Sequence, residues 1–268
     1  MELEFEKYEA TGNDFIVVRV DSPTALTKEQ AMALCDRHFG IGADGVLLLS
    51  PVDPARGERG RARMTVLNAD GSRPEMCGNG LRCAALALTG DQRPTDDFVV
   101  ETDAGPRACI LRRTGADRAQ VTTDLGRAEA QGEVTHPLGA GAATFTRVSM
   151  GNPHAIVFRE PISDAELDVL GPSLSASIVG GTNVEVASVV GPGRLDLAVW
   201  ERGVGRTLAC GTGAAATAAA AVALGLAPAE APIEVRLPGG ALELVVSKER
   251  RVTLTGPARR VFRGRLPL

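Results

Sequence analysis

The sequence predicts an α+β protein made of two similar, pseudo-symmetric domains. Two observations carry this. Short apolar runs of strand length outnumber the helical stretches. One order of features, Gly-Asn, apolar strand, polar residue, Cys-Gly-x-Gly, helix, occurs once in each half. At 268 residues, with 44% hydrophobic and 23% charged, the chain can bury one large core or two medium ones. Only 3% is aromatic, so those cores are predicted to consist mainly of Val, Leu, Ile and Ala.

The elements follow in order. Phe15-Ile16-Val17-Val18 is an apolar strand directly after Gly12-Asn13. Thr27 to Phe39 reads as a helix, with Thr27 as its N-cap and Glu29 in the first turn. Val46 to Leu49 is a second strand, and Leu81 to Leu88 a short apolar helix. Thr114-Gly115-Ala116-Asp117 breaks the pattern, so a linker is predicted near 112–118, dividing domain 1–115 from domain 116–255. In the second half, Gly151-Asn152 precedes the strand Ala155 to Phe158. Leu195 to Trp200 and Leu242 to Val246 alternate like strands, and Ala214 to Leu224 is an Ala-rich helix. The uncharged stretch Thr207 to Ala229 is mostly Ala, Gly and Thr, with a Gly-Leu-Ala-Pro break. Its continuous helix formers fall short of the roughly 20 residues a membrane span needs. It is read as a helix buried on all sides of a protein outside the membrane.

A net charge of −4 offers no basic surface for nucleic acid or membrane. Five cysteines, an odd number, and an acidic start without an apolar segment suggest free thiols in a reducing cytoplasm. Gly40 to Gly45 matches G-x-G-x-x-G but runs from a helix into a strand, the reverse of dinucleotide-binding order. No C-x-x-C occurs, and His38, His136 and His154 have no zinc-ligand spacing. None of the three lysines, Lys7, Lys28 and Lys248, sits where a pyridoxal Schiff base would form. No metal and no cofactor are therefore expected.

The chemistry points to Cys77 and Cys210. Each opens a Cys-Gly-x-Gly motif at a helix start, and each has a polar residue nine positions upstream, Asn68 and Glu201. Helix starts leave backbone N–H groups able to hold a carboxylate, and the helix dipole is expected to lower a thiol pKa there. Two such thiols suit proton transfer at an α-carbon: a thiolate takes the proton from one face while a thiol delivers one to the other. Cys35, Cys83 and Cys109 lack this setting and read as structural.

Seven segments in register resemble the diaminopimelate epimerase family. They are Gly12 to Phe15, Asp36 through Gly45, Asn68 to Ser72, Met76 to Gly80, Met150 to His154, Gly181 to Val184, and Trp200 to Gly203 leading to Ala209 to Gly213. The resemblance implies a cytoplasmic homodimer that interconverts LL- and meso-2,6-diaminopimelate for lysine and peptidoglycan precursor biosynthesis. It implies two domains, each a curved, mainly antiparallel sheet around a central helix, with 256–268 returning to the first. It makes Cys77 and Cys210 the acid/base pair, with Glu201 and His154 orienting the reacting amine or tuning the thiols. It assigns Gly78, Asn79, Gly211 and Thr212 to the α-carboxylate, and Asn13, Asn68, Asn152, Asn183, Glu201 and Arg202 to substrate contacts. Two positions depart from the family pattern. Gly45 replaces a glutamine that helps bind substrate in some members, and Ala10 replaces a glycine before Gly-Asn. The alternatives are an epimerase of the same fold acting on proline, hydroxyproline or histidine, or a non-catalytic amino-acid-binding or thiol-switch protein. Proline racemases carry histidine where this chain has Asn79.

Overall fold

Each apolar run read above is a strand in the computed structural model, which describes residues 2–58, 60–89, 93–138 and 141–267. These divide into two compact units. One runs to Thr123 and resumes at Gly256; the other is Asp124–Thr255. Met1 and Leu268, the ends of the first predicted domain, lie outside the described residues.

Unit one contains β1 (Glu2–Ala10), β2 (Asn13–Arg19), α1 (Lys28–Cys35), β3 (Gly45–Ser50), β4 (Ala62–Asn68), α2 (Gly78–Thr89), β5 (Thr95–Glu101), β6 (Arg107–Gly115) and the start of β7 (Arg118–Arg127). Neighbours pair antiparallel except β2–β3 and β4–β5, which are parallel. Each parallel pair is joined through a helix, as parallel strands require. The six strands β1 to β6 all pack on α2, so the sheet wraps that helix. β3 is buried along its whole length because both faces are covered. Leu47 and Leu49 join the α2 core, while Val46 and Leu48 join the α1 core with Ala31 and Leu34. At about 1.5–3 kcal/mol for each fully buried aliphatic side chain, this strand anchors both layers.

Unit two contains the end of β7, β8 (Glu129–Leu138), β9 (Gly141–Ser149), β10 (Pro153–Phe158), α3 (Asp164–Ala176), β11 (Asn183–Gly191), β12 (Arg194–Glu201), β13 (Gly205–Thr207), α4 (Gly211–Ala223), β14 (Ile233–Leu237), β15 (Gly240–Val246) and the start of β16 (Arg251–Pro267). The pattern repeats. β10–β11 and β12–β14 are parallel across α3 and α4, and the remaining pairs are antiparallel. α4 packs on β9, β10, β11, β14 and β15, and its alanines let those strands approach closely. No helix among the described residues is long and apolar enough to cross a membrane.

Three details differ from the sequence reading. The helix beginning at Thr27 stops at Cys35, short of Phe39. The Asp36 carboxylate accepts from the backbone N–H groups of His38 and Phe39, forming a turn where another helical turn was expected. Thr114 and Gly115 end β6 and Ala116-Asp117 turn the β6–β7 hairpin, and the chain passes between units inside β7. Helix α3 was not read. Its signal is the capping box Ser163-Asp164-Ala165-Glu166, obscured by Pro172 within the helix. Its N-cap role is nevertheless plain in the backbone: Ser163 accepts from Glu166 N–H and Glu166 accepts from Ser163 N–H.

Candidate active site

Both motif cysteines stand immediately before a central helix. Cys210 is the N-cap of α4, and its Sγ accepts from Gly213 N–H at 3.3 Å. Cys77 repeats this at α2, its Sγ accepting from Gly80 N–H at 3.4 Å. In each case the cysteine carbonyl accepts the next helical N–H, from Leu81 at 2.8 Å and Ala214 at 2.9 Å. The thiol therefore takes the third N–H of the first turn. The third position is tight in both units, more so in unit two. A Cβ on Gly80 would lie 3.0 Å from Leu47 Cδ2, and one on Gly213 would lie 2.5 Å from Glu185 Oε1.

In unit one the predicted residues Asn13 and Asn79 are joined. Asn79 Nδ2 donates to Asn13 Oδ1 at 3.1 Å, and Asn13 Nδ2 donates to Asp44 Oδ2 at 2.6 Å. Behind them lies Arg82, with 0% of its surface exposed. Its Nη2 donates to Asn79 Oδ1 and Thr11 Oγ1, both at 3.0 Å, and Nε donates to Pro257 O at 3.2 Å. Thr11 is a β-branched residue at φ 51°, in the left-handed region that such residues avoid. Ala10 is buried, and the positive φ values of this turn fall on Thr11 and Gly12, so the position before Gly-Asn accepts an alanine. Asn68 stands apart from this chain of amides. It ends β4 opposite Gly45 and donates from Nδ2 to Ser72 Oγ at 2.8 Å.

Unit two gathers more of its predicted residues. His154 is buried, with Nδ1 2.7 Å from Glu185 Oε1 and Nε2 3.1 Å from Asn152 Oδ1. Asn152 Nδ2 donates to Thr212 Oγ1 at 3.4 Å, and Thr212 Oγ1 lies 3.5 Å from Cys210 Sγ. Glu201 accepts from Thr207 Oγ1 at 2.7 Å, and the nearby Cys210 thiol works to lower its carboxyl pKa. Burial raises the Glu201 carboxyl above its ordinary range, and the charge of Glu185 adds to this. Asn183 Oδ1 accepts from Arg202 N–H at 3.0 Å, while the Arg202 guanidinium caps the carbonyls of Gly180 and Gly181.

One sequence expectation needs correcting. The helix start was expected to lower the thiol pKa, but Cys210 is pushed well above its ordinary value. Burial is the main cause, followed by the carboxylates of Glu201 and Glu185. The Thr212 and Gly213 hydrogen bonds oppose them. The magnitudes explain the outcome. A helix terminus supplies at most about 2 kcal/mol, or roughly 1.5 pKa units, whereas full burial alone shifts a group by up to about 3–5 units. Cys35 and Cys109 are likewise raised mainly by burial, to about 11 and about 12, and Cys83 further still. These three lie within the cores as free, buried cysteines.

Glu185 and Arg82 escaped the sequence reading. Each leaves a recognisable sign, a single charged residue inside an apolar run: Glu185 within Val184 to Val186, Arg82 beside Leu81 in the central helix. Among the described residues, no group of three or more His, Cys, Asp or Glu side chains could hold a metal ion.

The duplicated α+β fold is shared with solved isomerases. A solved hydroxyproline epimerase from Agrobacterium vitis matches 100% of this chain and 93% of its own, with a TM-score of 0.77 at 17% identity. A solved methylitaconate-delta-isomerase matches 99% of this chain and 95% of its own, with a TM-score of 0.68 at 12% identity. These likenesses show the fold. Sequence narrows the class: the diaminopimelate epimerase family model matches residues 5–130 and 146–261, and the chain belongs to that family. Diaminopimelate epimerase 1 of Nostoc sp. is 42% identical, over 99% of this chain and 100% of its own. The diaminopimelate epimerases of Cyanothece sp. and Heliobacterium modesticaldum are 42% and 40% identical, over 98% and 99% of this chain and 99% and 100% of theirs.

Proposed function

We propose that this chain interconverts LL-2,6-diaminopimelate and meso-2,6-diaminopimelate by a two-base thiol mechanism, without metal or cofactor. The observation that carries it is the repeated helix start, with a thiol accepting the third N–H in each unit. The 40–42% identical relatives, all diaminopimelate epimerases, support the substrate. In this reading one cysteine, as thiolate, breaks the Cα–H bond of one stereocentre, and the other delivers its proton to the opposite face. The α-carboxylate lies on the N–H groups opening the two helices, at Gly78-Asn79 and Gly211-Thr212, which also stabilise charge as the proton leaves.

The remaining residues take supporting roles. Asn13, Asn68, Asn152, Asn183 and Arg202 bind the polar ends of the substrate. Glu201 and His154 orient the reacting amine and set the state of Cys210, Glu201 by its charge and His154 through Asn152 and Thr212. Each of the two domains contributes one thiol. The protein acts in the cytoplasm as a homodimer, feeding lysine and peptidoglycan precursor synthesis. The test is α-hydrogen exchange in deuterated water under reducing conditions. LL-diaminopimelate is expected to gain deuterium and convert to the meso form, while proline, hydroxyproline and histidine do not. No exchange with diaminopimelate sinks the reading, and faster exchange with another of these amino acids transfers the activity to it.

A further inference from the structure

The two units repeat one site, but the charges buried beneath the thiols have opposite signs. At the third helical position, the strand residue facing the glycine is Leu47 in unit one and Glu185 in unit two. Both are wholly buried. Five residues past the cysteine, the helix carries Arg82 in unit one and Ala215 in unit two, again both wholly buried. The Arg82 side chain folds back toward its helix start, where Nη1 donates to Gly78 O at 3.4 Å, beside Cys77. Its partners among the described residues, Thr11, Asn79, Gly78 and Pro257, present neutral oxygens. Each nitrogen of the guanidinium is therefore hydrogen-bonded, and no carboxylate among the described residues lies on it. Burial pulls it down to about 10, which leaves it charged at neutral pH; Cys83, Cys77 and Glu9 favour that charge. Cys210 faces the reverse, with the carboxylates of Glu201 and Glu185 on its side.

Resting on the epimerase reading above, we propose that the free protein carries its resting negative charge on Cys77 and its proton on Cys210, and that Arg82 fixes this polarity. Arg82 is a positioning residue, acting through Cys77 and the amide chain. Its bond to Asn79 Oδ1 turns Asn79 Nδ2 toward Asn13, and its bond to Thr11 holds the strained turn preceding Asn13. The proton balance follows. In the first turnover the Cys77 thiolate takes the α-proton and becomes a thiol, while Cys210 gives its proton to the opposite face and becomes the thiolate. The product leaves a reversed pair, which returns to rest by exchanging protons with solvent or by converting the opposite isomer.

Other charged groups near Arg82 and Cys83 are Glu9 of β1 and Asp14 of β2. Asp14 is paired with Lys7 and Arg37. The strands β3 to β6 face α2 with apolar residues, Leu47, Leu49, Met64, Val66, Phe98 and Val100 among them. Arg82 is thus the one cation buried against this helix start among the described residues.

The experiment is alkylation of the full-length reduced protein with iodoacetamide across pH 5–10, with the rate at each cysteine read by peptide mass spectrometry. Accessibility scales a rate without moving its pH midpoint, so the midpoints report the charge. Cys77 is expected to titrate at the lower pH. Arg82→Met is expected to raise the Cys77 midpoint by about one to three units, with Arg82→Lys restoring most of it and Cys210 unmoved. A Cys77 midpoint at or above that of Cys210 in the unaltered protein overturns the proposal, whether or not the variants fold. An unmoved Cys77 midpoint in folded Arg82→Met removes Arg82 from the role. Deuterium exchange of LL-diaminopimelate on the same preparation separates failure of this inference from failure of the epimerase reading.

Discussion

Replacing the buried His154–Glu185 pair separates the energetics of unit two from its chemistry. Both side chains are wholly buried and 2.7 Å apart, and Glu185 Oε2 has no hydrogen-bond partner among the described residues. The first unit shows what an apolar version looks like. His154 pairs across the sheet with Asn183 as Phe15 pairs with Gly45, and Glu185 follows two residues later as Leu47 does. Glu185→Leu alone leaves a buried imidazole facing hydrocarbon. Removing one partner of a buried pair costs about 3–5 kcal/mol. The double change His154→Phe with Glu185→Leu removes both polar groups and copies the unit-one solution, and such replacements run from neutral to about 1–4 kcal/mol stabilising. The double variant is therefore expected to exceed the single one by at least about 3 kcal/mol, reversing the usual rule that two core changes are worse than one. Urea unfolding read by Trp200, the chain's one tryptophan, confines the signal to unit two and avoids assuming that both units unfold together. If Glu185→Leu is as stable as the double variant, the pair contributes no coupled energy and the reasoning fails. Both variants are expected to lose epimerase activity, so stability and activity should move in opposite directions in the double variant.

Cys77→Ser and Cys210→Ser are each expected to abolish epimerisation with the fold intact, measured by α-hydrogen exchange and circular dichroism, because a serine hydroxyl does not supply the resting anion. Gly213→Ala is expected to impair turnover more than Gly80→Ala. Its methyl falls 2.5 Å from Glu185 Oε1 and 3.2 Å from Cys210 Sγ, against 3.0 Å from Leu47 Cδ2 and 3.6 Å from Cys77 Sγ; equal losses in kcat would contradict this. Burial raises Asp14, but hydrogen bonds from Arg37 and Lys7 outweigh it and take its carboxyl down to about 2 from 3.8. A depressed carboxyl stabilises the fold above its unfolded pKa and loses that contribution as pH falls from about 4 to 2. Asp14→Asn is expected to flatten the acid limb of stability in that window, read by thermal melts at a series of pH values.

The sequence made the strands legible because most are short apolar runs bounded by turn residues. Val46 to Leu49 reads as continuous apolar for a reason seen only in three dimensions: α1 and α2 cover opposite faces of β3. Helix ends were less legible. Asp36 stops α1 with a side-chain bond that competes with the backbone, and Pro172 disguises α3 despite its capping box. The paired cysteines were visible because duplication exposes a motif that would be weak alone. The residues that distinguish the two copies were not, since comparing the halves rewards what repeats. Arg82 and Glu185 are two positions where the repeat is broken, and a search for likeness passes over them. Thiol ionisation was the other expectation that changed. A helix start can be read from sequence, but the burial of Cys210 and its carboxylate neighbours come from β11 and β12, 25 and nine residues upstream.

The broken symmetry also bears on how a duplicated protein can run two-base chemistry at all. Turnover needs one thiol and one thiolate. Two independent thiols with equal pKa values reach that combination in at most about half of molecules, divided equally between the two orders and only at one pH. If the values are split by about two units, midway between them about four fifths of molecules hold one particular order, and that order persists across the interval. The gain has a limit. The reversed order is then about a hundredfold rarer, so a larger split slows the direction that starts from it. A buried cation without a carboxylate partner beneath one thiol, and carboxylates beside the other, produce a split of this kind from three residues, Arg82, Glu185 and Glu201. Arg82→Met should therefore move only the acid limb of the kcat/KM profile upward, leaving the alkaline limb, set by Cys210, in place. The active pH range narrows from one side. A shift of the alkaline limb instead would mean that Arg82 acts on Cys210, and that the two sites do not set their protonation independently.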